Sequence, residues 1–424
     1  MNGIAIFVLI SNIFTFSSAR ELALNGGLGA FSFNSDAEFV NPANFATTSN
    51  VNWNLISLTL PQGMGLSGNS SFSHKEVFEY FMDDRYLDDN TKRTILQRVS
   101  GGLSTSVDGD VSPLINFGCP NFGISLNILN SARVKLPYQL IDLALNGNEL
   151  GREYRFDENG LKLEGHLAIM LSMSYGNRFE LLDFPFDVGI GVRLVRGVKA
   201  VKMTKGHGYL MTDSTSISSS GVLEIAEGEG DISTAFDFGL ALEPLENLRL
   251  GLAILNLNGT MHWNKNVKLH HIEGDAQNIA LKLLLYSMEL KDLSDLVSDT
   301  AWDSEGQPFT TELPRIFRFS VGYDLEEFVR FPLRTGMDFI KIMNETPFSD
   351  KMTKLVFAAE GKPLRWFPCI RLGLAFGDEY GTSISYGFGW RLKFVQIDFA
   401  AQHYKGLFWG SRGGRMALDI GVIF

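Results

Sequence analysis

The stretch Thr382–Trp390, TSISYGFGW, alternates without a break. Ile384, Tyr386, Phe388 and Trp390 fall on one face; Ser383, Ser385, Gly387 and Gly389 fall on the other. Successive strand side chains point to opposite faces, so this is a strand with one large apolar face and one small, polar face. Ile370–Phe376 repeats the pattern: Ile370, Leu372, Leu374 and Phe376 oppose Arg371, Gly373 and Ala375. In Arg315–Tyr323, the residues Phe317, Phe319, Val321 and Tyr323 oppose Ile316, Arg318, Ser320 and Gly322. NFGISLNIL from Asn121, LAIMLSMSY from Leu167, DVGIGVRLV from Asp187, STAFDFGLA from Ser233 and LRLGLAILN from Leu248 read the same way.

Counted along the chain, the pattern predicts about fourteen strands. They lie near residues 51–60, 98–107, 121–130, 163–175, 187–198, 233–242, 247–257, 315–324, 335–342, 353–361, 369–377, 382–391, 393–403 and 414–424. Many are about ten residues long, the length a membrane-crossing strand needs and longer than the usual soluble strand. The connectors alternate over the first half. Segments 61–97, 131–162, 199–232 and 258–314 are long; 108–120, 176–186 and 243–246 are short. A transmembrane barrel sorts its loops this way, long on one rim and tight on the other. The expected fold is an all-β transmembrane antiparallel barrel of about fourteen strands.

Composition agrees. The chain has 424 residues, 33 Phe, 43 Gly and a net charge of −11. Glycine weakens helices and permits the kinks and bulges of a curved sheet. The acidic balance, without clustered Lys or Arg, argues against nucleic acid. Cys119 and Cys369 lie far apart and read either as one long-range disulfide or as two buried thiols. No segment reaches the 18 consecutive apolar residues of a membrane helix.

Both ends carry signals. Residues 1–19, MNGIAIFVLISNIFTFSSA, have an apolar core and a small-residue end, as a secretory leader does, though no Lys or Arg precedes the core. A buried first strand or helix is the other reading. The closing MALDIGVIF puts Met416, Leu418, Ile420, Val422 and Phe424 on one face. Its final Phe424 resembles the terminal signal read by the outer-membrane assembly machinery of bacteria, which makes that machinery an expected partner beside membrane lipids.

If the large apolar face meets lipid, Arg193, Arg249, Arg318 and Arg371 point into the lumen. There they would either neutralise a carboxylate cargo or hold the barrel through an Arg–Asp/Glu network. Tyr386, Phe388 and Trp390 would stand in an aromatic girdle. His74–Val99, Leu136–Leu150 and Ala276–Val297 show helical periodicity. These short helices of the external loops would cap the rim, or their stripes, such as Ile279, Leu283 and Tyr286, would receive a hydrophobic ligand.

Residues 20–50 are no strand. They hold Gly26, Gly27 and Gly29, then Asp36, then Asn41-Pro42-Ala43-Asn44. Pro42 fixes its own φ and extends Asn41, and the asparagines can bond neighbouring backbone. A compact segment of small residues directly before the first strand suits a plug. This order of leader, Gly-rich segment, acidic residue and NPA resembles the FadL-type outer-membrane transport barrels. LALNGNELG from Leu143, VGIGVRLVRG from Val188, GLAILNLNG from Gly251 and LPRIFRFSVGY from Leu313 extend the resemblance toward DUF5723 and PorV-like barrels. The resemblance implies a leader over 1–19, a hatch over 20–50 including Asn41, Pro42 and Ala43, and a barrel over 51–424. For the best-known members it also implies passive uptake of long-chain fatty acids or other hydrophobic molecules across an outer membrane, without a cofactor. For PorV-like relatives it implies an accessory barrel that binds a protein partner.

Chemistry is sparse. His270-His271 with Glu273 and Asp275 lies in a polar connector and lacks metal-ligand spacing. No G-x-S-x-G, Walker A or HExxH motif occurs, so no catalytic residue is nominated.

Overall fold

The computed structural model describes residues 18–424, apart from 62–71, 83–86, 109–111, 182–183, 215, 281–297, 350, 365 and 378–380. One antiparallel sheet closes on itself as a barrel of 14 strands. The first is β1, Asn52–Pro61. Leu103–Asp108 and Ser112–Cys119 together make β2. Phe122–Leu136 is β3, Lys162–Leu181 is β4 and Phe184–Thr212 is β5. Ser216–Gly230 and Ile232–Leu245 make β6, because both run antiparallel along β5, one on its upper half and one on its lower. Leu248–Leu257 and Thr260–Ala280 make β7. Ser298–Glu305, Phe309–Glu312 and Ile316–Asp324 make β8. The remaining six are β9 Leu333–Ile342, β10 Met352–Gly361, β11 Cys369–Gly377, β12 Gly381–Leu392, β13 Val395–Tyr404 and β14 Gly414–Ile423. Closure pairs Trp53 of β1 with Val422 of β14.

The wall is uneven. β5 runs for 29 residues, whereas β11 has 9. At about 3.4 Å per residue, the β4–β8 side rises far above the rest. This corrects two expected connectors. The described residues of segments 199–232 and 258–314 are largely strand, with β5 paired to β6 over Ala200–Thr212 and β7 paired to β8 over Lys268–Asp275. Their polar residues misread as loop because this part of the wall has two hydrophilic faces. The seam between β1 and β2 is short, pairing Asn52–Asn54 with Gly118–Asn116.

Alternation sets the two faces. On β5, Ile190 is 52% exposed while Arg193 is 2% exposed. Phe238, Leu240, Leu372, Phe388 and Trp390 are likewise exposed on the outside. At one end the connections are tight, as at Asn121 and at residues 246–247 and 393–394. Phe184, Trp366, Phe394 and Phe424 stand exposed around that end, where a membrane barrel carries an aromatic belt. The opposite end carries the long connections. There the helices Asp89–Arg98 and Tyr138–Asn146 pack through Phe72, Ile95 and Val99 against Tyr138, Ile141 and Leu145. Among the described residues no helix is long and apolar enough to cross a membrane.

Candidate functional site: the lumen and its N-terminal segment

Residues Ser18–Thr48 run around the inside of the barrel. Ser18 caps the helix Ala19–Ala23 by accepting from the amide of Glu21. Small residues let that helix lie on the wall: Ala19 and Ala23 pack on Ala400 of β13 and Ala417 of β14. Asn25, held at φ 58°, donates to the hydroxyl of Ser383 and accepts from Gln402. The amide of Gly29 donates to Asp338 of β9. The chain then crosses to the other side. Ser35 lies on Gly118 of β2, and Glu38 accepts from Ser174 of β4. Asn41 accepts from the amide of Ala43 and donates to the carbonyl of Leu240 on β6. Pro42 opens the 3-10 turn Pro42–Thr47, where its fixed φ suits a first helical position. The two arms are tied together: Asn44 donates to the carbonyl of Gly29, and Arg20 pairs with Asp36 at 3.4 Å.

Glycines of the wall make room for this course. A Cβ on Gly387 would lie 2.6 Å from the Cβ of Ala23, and one on Gly118 would lie 2.6 Å from the amide nitrogen of Ser35. One on Gly176 would lie 2.5 Å from the carbonyl oxygen of Pro42. One on Gly189 or Gly239 would fall on the Asn41–Ala43 backbone and side chain. Glycine is what permits such close backbone approach.

The four arginines singled out in the sequence are all 2–5% exposed and face acids. Arg193 pairs with Asp237 at 2.6 Å, and Arg249 with Asp187 at 2.7 Å and with Glu243. Arg318 donates to the carbonyl of Gly26 and lies 3.9 Å from Asp338. Arg371 pairs with Asp398 at 2.5 Å and shares Glu360 with Arg20 of the segment. These are buried charges with acid partners rather than free cations awaiting an anion. Below the segment, toward the tight-turn end, a cavity of about 240 Å³ is lined by Arg20, Asp36, Arg334, Glu360, Arg371 and Asp398.

Above the segment the lumen turns apolar. Leu129, Met170, Val195, Met261, Trp263 and Phe348 form one buried cluster, with Phe39 of the segment packed beneath. Trp263 donates its indole N–H to Thr311, which satisfies its polar edge. Phe348 enters from the connection between β9 and β10. Over the cluster opens a polar vestibule of about 480 Å³, lined among others by Arg133, Glu164, Lys202 and Glu345.

Other candidates fall elsewhere. Ile279 lies in the upper end of β7, paired with Ile217, not in a helix; Leu283 and Tyr286 lie outside the described residues. His270 and His271 sit on β7 rather than in a loop, His270 bonded to Asp303 and His271 stacked on Trp302. Among the described residues no His/Cys/Asp/Glu group can hold a metal. Cys119 and Cys369 are free thiols. Sequence reading missed Arg20 and Glu38, and the glycines as seats. The available signal was the inward parity of Gly189, Gly373 and Gly387 on strands opposite a Gly-rich leader-proximal stretch.

Fold and lumen together define the class: a transmembrane β-barrel whose lumen is occupied by its own N-terminal segment. The chain belongs to the family described as "Family of unknown function (DUF5723)", whose model matches residues 49–401. Among curated proteins no relative of this chain is found. Solved structures that resemble this chain share little sequence with it. The Ralstonia pickettii toluene transporter TbuX is 11% identical, with 97% of this chain and 98% of that one covered and a TM-score of 0.47. A Pseudomonas aeruginosa FadL homologue is 13% identical, with 97% and 99% covered and a TM-score of 0.46. The Pseudomonas putida toluene transporter TodX is 11% identical, with 97% of each chain covered and a TM-score of 0.45.

Proposed function

We propose that this chain is a passive outer-membrane carrier for hydrophobic small molecules, with residues 20–50 as its hatch. The observation that carries the reading is the apolar cluster inside the lumen, between the vestibule and the Asn41–Ala43 arm. A channel for ions or sugars is served by a wet polar lumen; an interior of Leu129, Met170, Met261 and Trp263 instead lowers the cost of holding an apolar solute. Cargo would enter at the long-loop end, part the cluster, and leave when the hatch shifts on its glycine seats. No nucleotide or cofactor is required, and no chemical step is performed. The acid partners of all four lumen arginines leave the carboxylate of a long-chain fatty acid no ready cation.

One observation favours a second reading. Backbone seated on glycine around much of the lumen suits a fixed plug, and hence an accessory barrel that binds a protein partner with its loops. Native mass spectrometry of the folded protein, extracted in mild detergent, separates the two. A stoichiometric apolar ligand supports the carrier; a stoichiometric protein without ligand supports the accessory barrel and overturns the carrier.

A further inference from the structure

Six buried polar atoms that have no hydrogen-bond partner among the described residues stand in one file down the lumen. They are Nδ1 and Nε2 of His166, Oγ of Ser131, Oδ1 of Asn127, Oγ of Ser172 and Oε2 of Glu38. The five residues are 0–1% exposed. Four occupy inward positions of the paired strands β3 and β4, where Ser131 faces His166 and Asn127 faces Met170. Glu38 continues the file onto the N-terminal segment, its other oxygen bonded to Ser174. Buried polar groups are satisfied in the great majority of cases, and leaving one orphaned costs more than a typical bond gains. A run of them beside an apolar cluster needs an occupant.

The cluster supplies the other half of the site. The imidazole of His166 lies 5.7 Å from the Trp263 ring and 5.9 Å from the Phe348 ring, centroid to centroid. Phe348, 5% exposed, reaches this position from the β9–β10 connection, so its phenyl ring fills the space that an apolar body would take.

The geometry points to a neutral amphiphile as cargo: an apolar ring or chain carrying one hydroxyl. This rests on the carrier reading and narrows it. The apolar body displaces Phe348 and slides over Met170 and Val195. The hydroxyl, with ordered water filling the remaining places, bonds in turn to His166, Asn127, Ser172 and Glu38. A hydrocarbon pairs with none of the six atoms. A carboxylate has no hydrogen to give to Oδ1 of Asn127 or Oε2 of Glu38, and the cations at the ends of the file already face acids, Arg193 with Asp237 at 2.6 Å and Arg133 with Glu164 at 3.8 Å and Glu345 at 3.7 Å. A hydroxyl both donates and accepts, so it alone of the three suits imidazole, amide oxygen and carboxyl alike.

The test is equilibrium dialysis of 4-bromophenol, 4-bromotoluene and 4-bromobenzoate at neutral pH against the folded protein in micelles, with protein-free micelles subtracted. The wild type is expected to prefer the phenol at least about tenfold over the other two, since a site built for a hydroxyl rejects the analogue lacking it. His166→Phe keeps a ring in the cluster and is expected to bring phenol and toluene together. Asn127→Leu with Ser172→Ala does the same lower in the file, and guards against a variant that fails to fold; folding is read from the faster migration of unboiled samples. Phe348→Ala strengthens binding of the phenol. Equal binding of phenol and toluene by the wild type, preference for the benzoate, or discrimination that survives both variants overturns the inference. If both ring compounds bind equally, the carrier reading stands without the file. If neither binds beyond micelles, the inference falls, and uptake by whole cells decides the carrier reading separately.

Discussion

The amide nitrogen of Ala43 lies where a side chain on Gly189 would begin. The NPA turn is thus seated on β5 backbone to backbone, with Pro42 against Gly176 and Asn41 against Gly239 on the neighbouring strands. Gly189→Val forces either the turn or the strand to move. The barrel closes through 14 strands and the turn through a few bonds, so the turn gives way. We expect Gly189→Val to run as a folded barrel on unboiled gels but to raise ion conductance in planar bilayers well above wild type. Unchanged conductance would mean that the segment does not close the lumen.

Arg193 and Asp237 hold β5 to β6 from within, at 2.6 Å and 1–2% side-chain exposure. Removing one partner leaves an uncompensated buried charge, at a cost of about 3–5 kcal/mol. Replacing both with apolar residues of similar size is far milder. Arg193→Met alone is therefore expected to lower the urea midpoint of the folded band, and Arg193→Met with Asp237→Leu to restore most of it. Equal losses in single and double variants would show that the pair contributes through some other contact.

Removal of a leader, expected from the sequence, is testable by intact mass. Ser18 caps the first helix and its carbonyl accepts from Leu22, while the amide of Ala19 donates to Asp419 at 2.6 Å. Cleavage after Ala19 would discard these bonds and leave buried Asp419 without that donor. Cleavage after Ser17, with small residues Ser17 and Thr15 at the positions a signal peptidase reads, keeps them. The expected mass is that of a chain beginning at Ser18. A chain beginning at Arg20 would contradict this course of the segment.

On the loop rim, Glu76 responds to acid. Partial burial opposes its ionisation, but the amide and hydroxyl of Ser73 and the guanidinium of Arg98 outweigh that, and its pKa falls below the ordinary value. A depressed carboxylate contributes stability above its ordinary pKa and loses it as pH falls through the depressed value. Proteolysis between the helices at His74–Val77 and Asp89–Arg98 should therefore accelerate below about pH 4. Glu76→Gln should cleave faster at neutral pH and show little further change. A pH-independent rate in the wild type would count against this contact.

Much of this fold was legible because period-2 alternation survives wherever one face meets lipid. Ile384, Phe388 and Trp390 against Ser383 and Gly387 could be read directly. So could the parity of Arg193 and Arg371, since a charge on the lipid side is costly. The tall wall was not legible: over Ala200–Thr212 and its partner Ile217–Gly228 both faces are wet, and the apolar signal vanishes although the pairing continues. The plug was half legible. Asn41-Pro42-Ala43 announced a rigid turn, but the seats are glycines spread over strands from Gly118 to Gly387, and only closure of the barrel brings them to one surface. The polar file was equally hidden, because Asn127 and Ser172 read as ordinary small inward residues until the partners of each are counted.

The most direct measurement is uptake of a hydrophobic probe through a barrel whose N-terminal segment can be locked to the wall. Asn25 donates to Ser383 at 2.8 Å, so Asn25→Cys with Ser383→Cys, in a background with Cys119→Ser and Cys369→Ser, places two thiols across the segment–wall contact. The arms are bonded to each other through Asn44 and Gly29, so a lock on one restrains both. With 4-bromophenol as probe and proteoliposomes as the vessel, transport is expected to stop on oxidation and to return with a reductant. Transport that continues through the oxidised barrel would contradict a moving hatch, and no transport in either state would contradict the carrier itself.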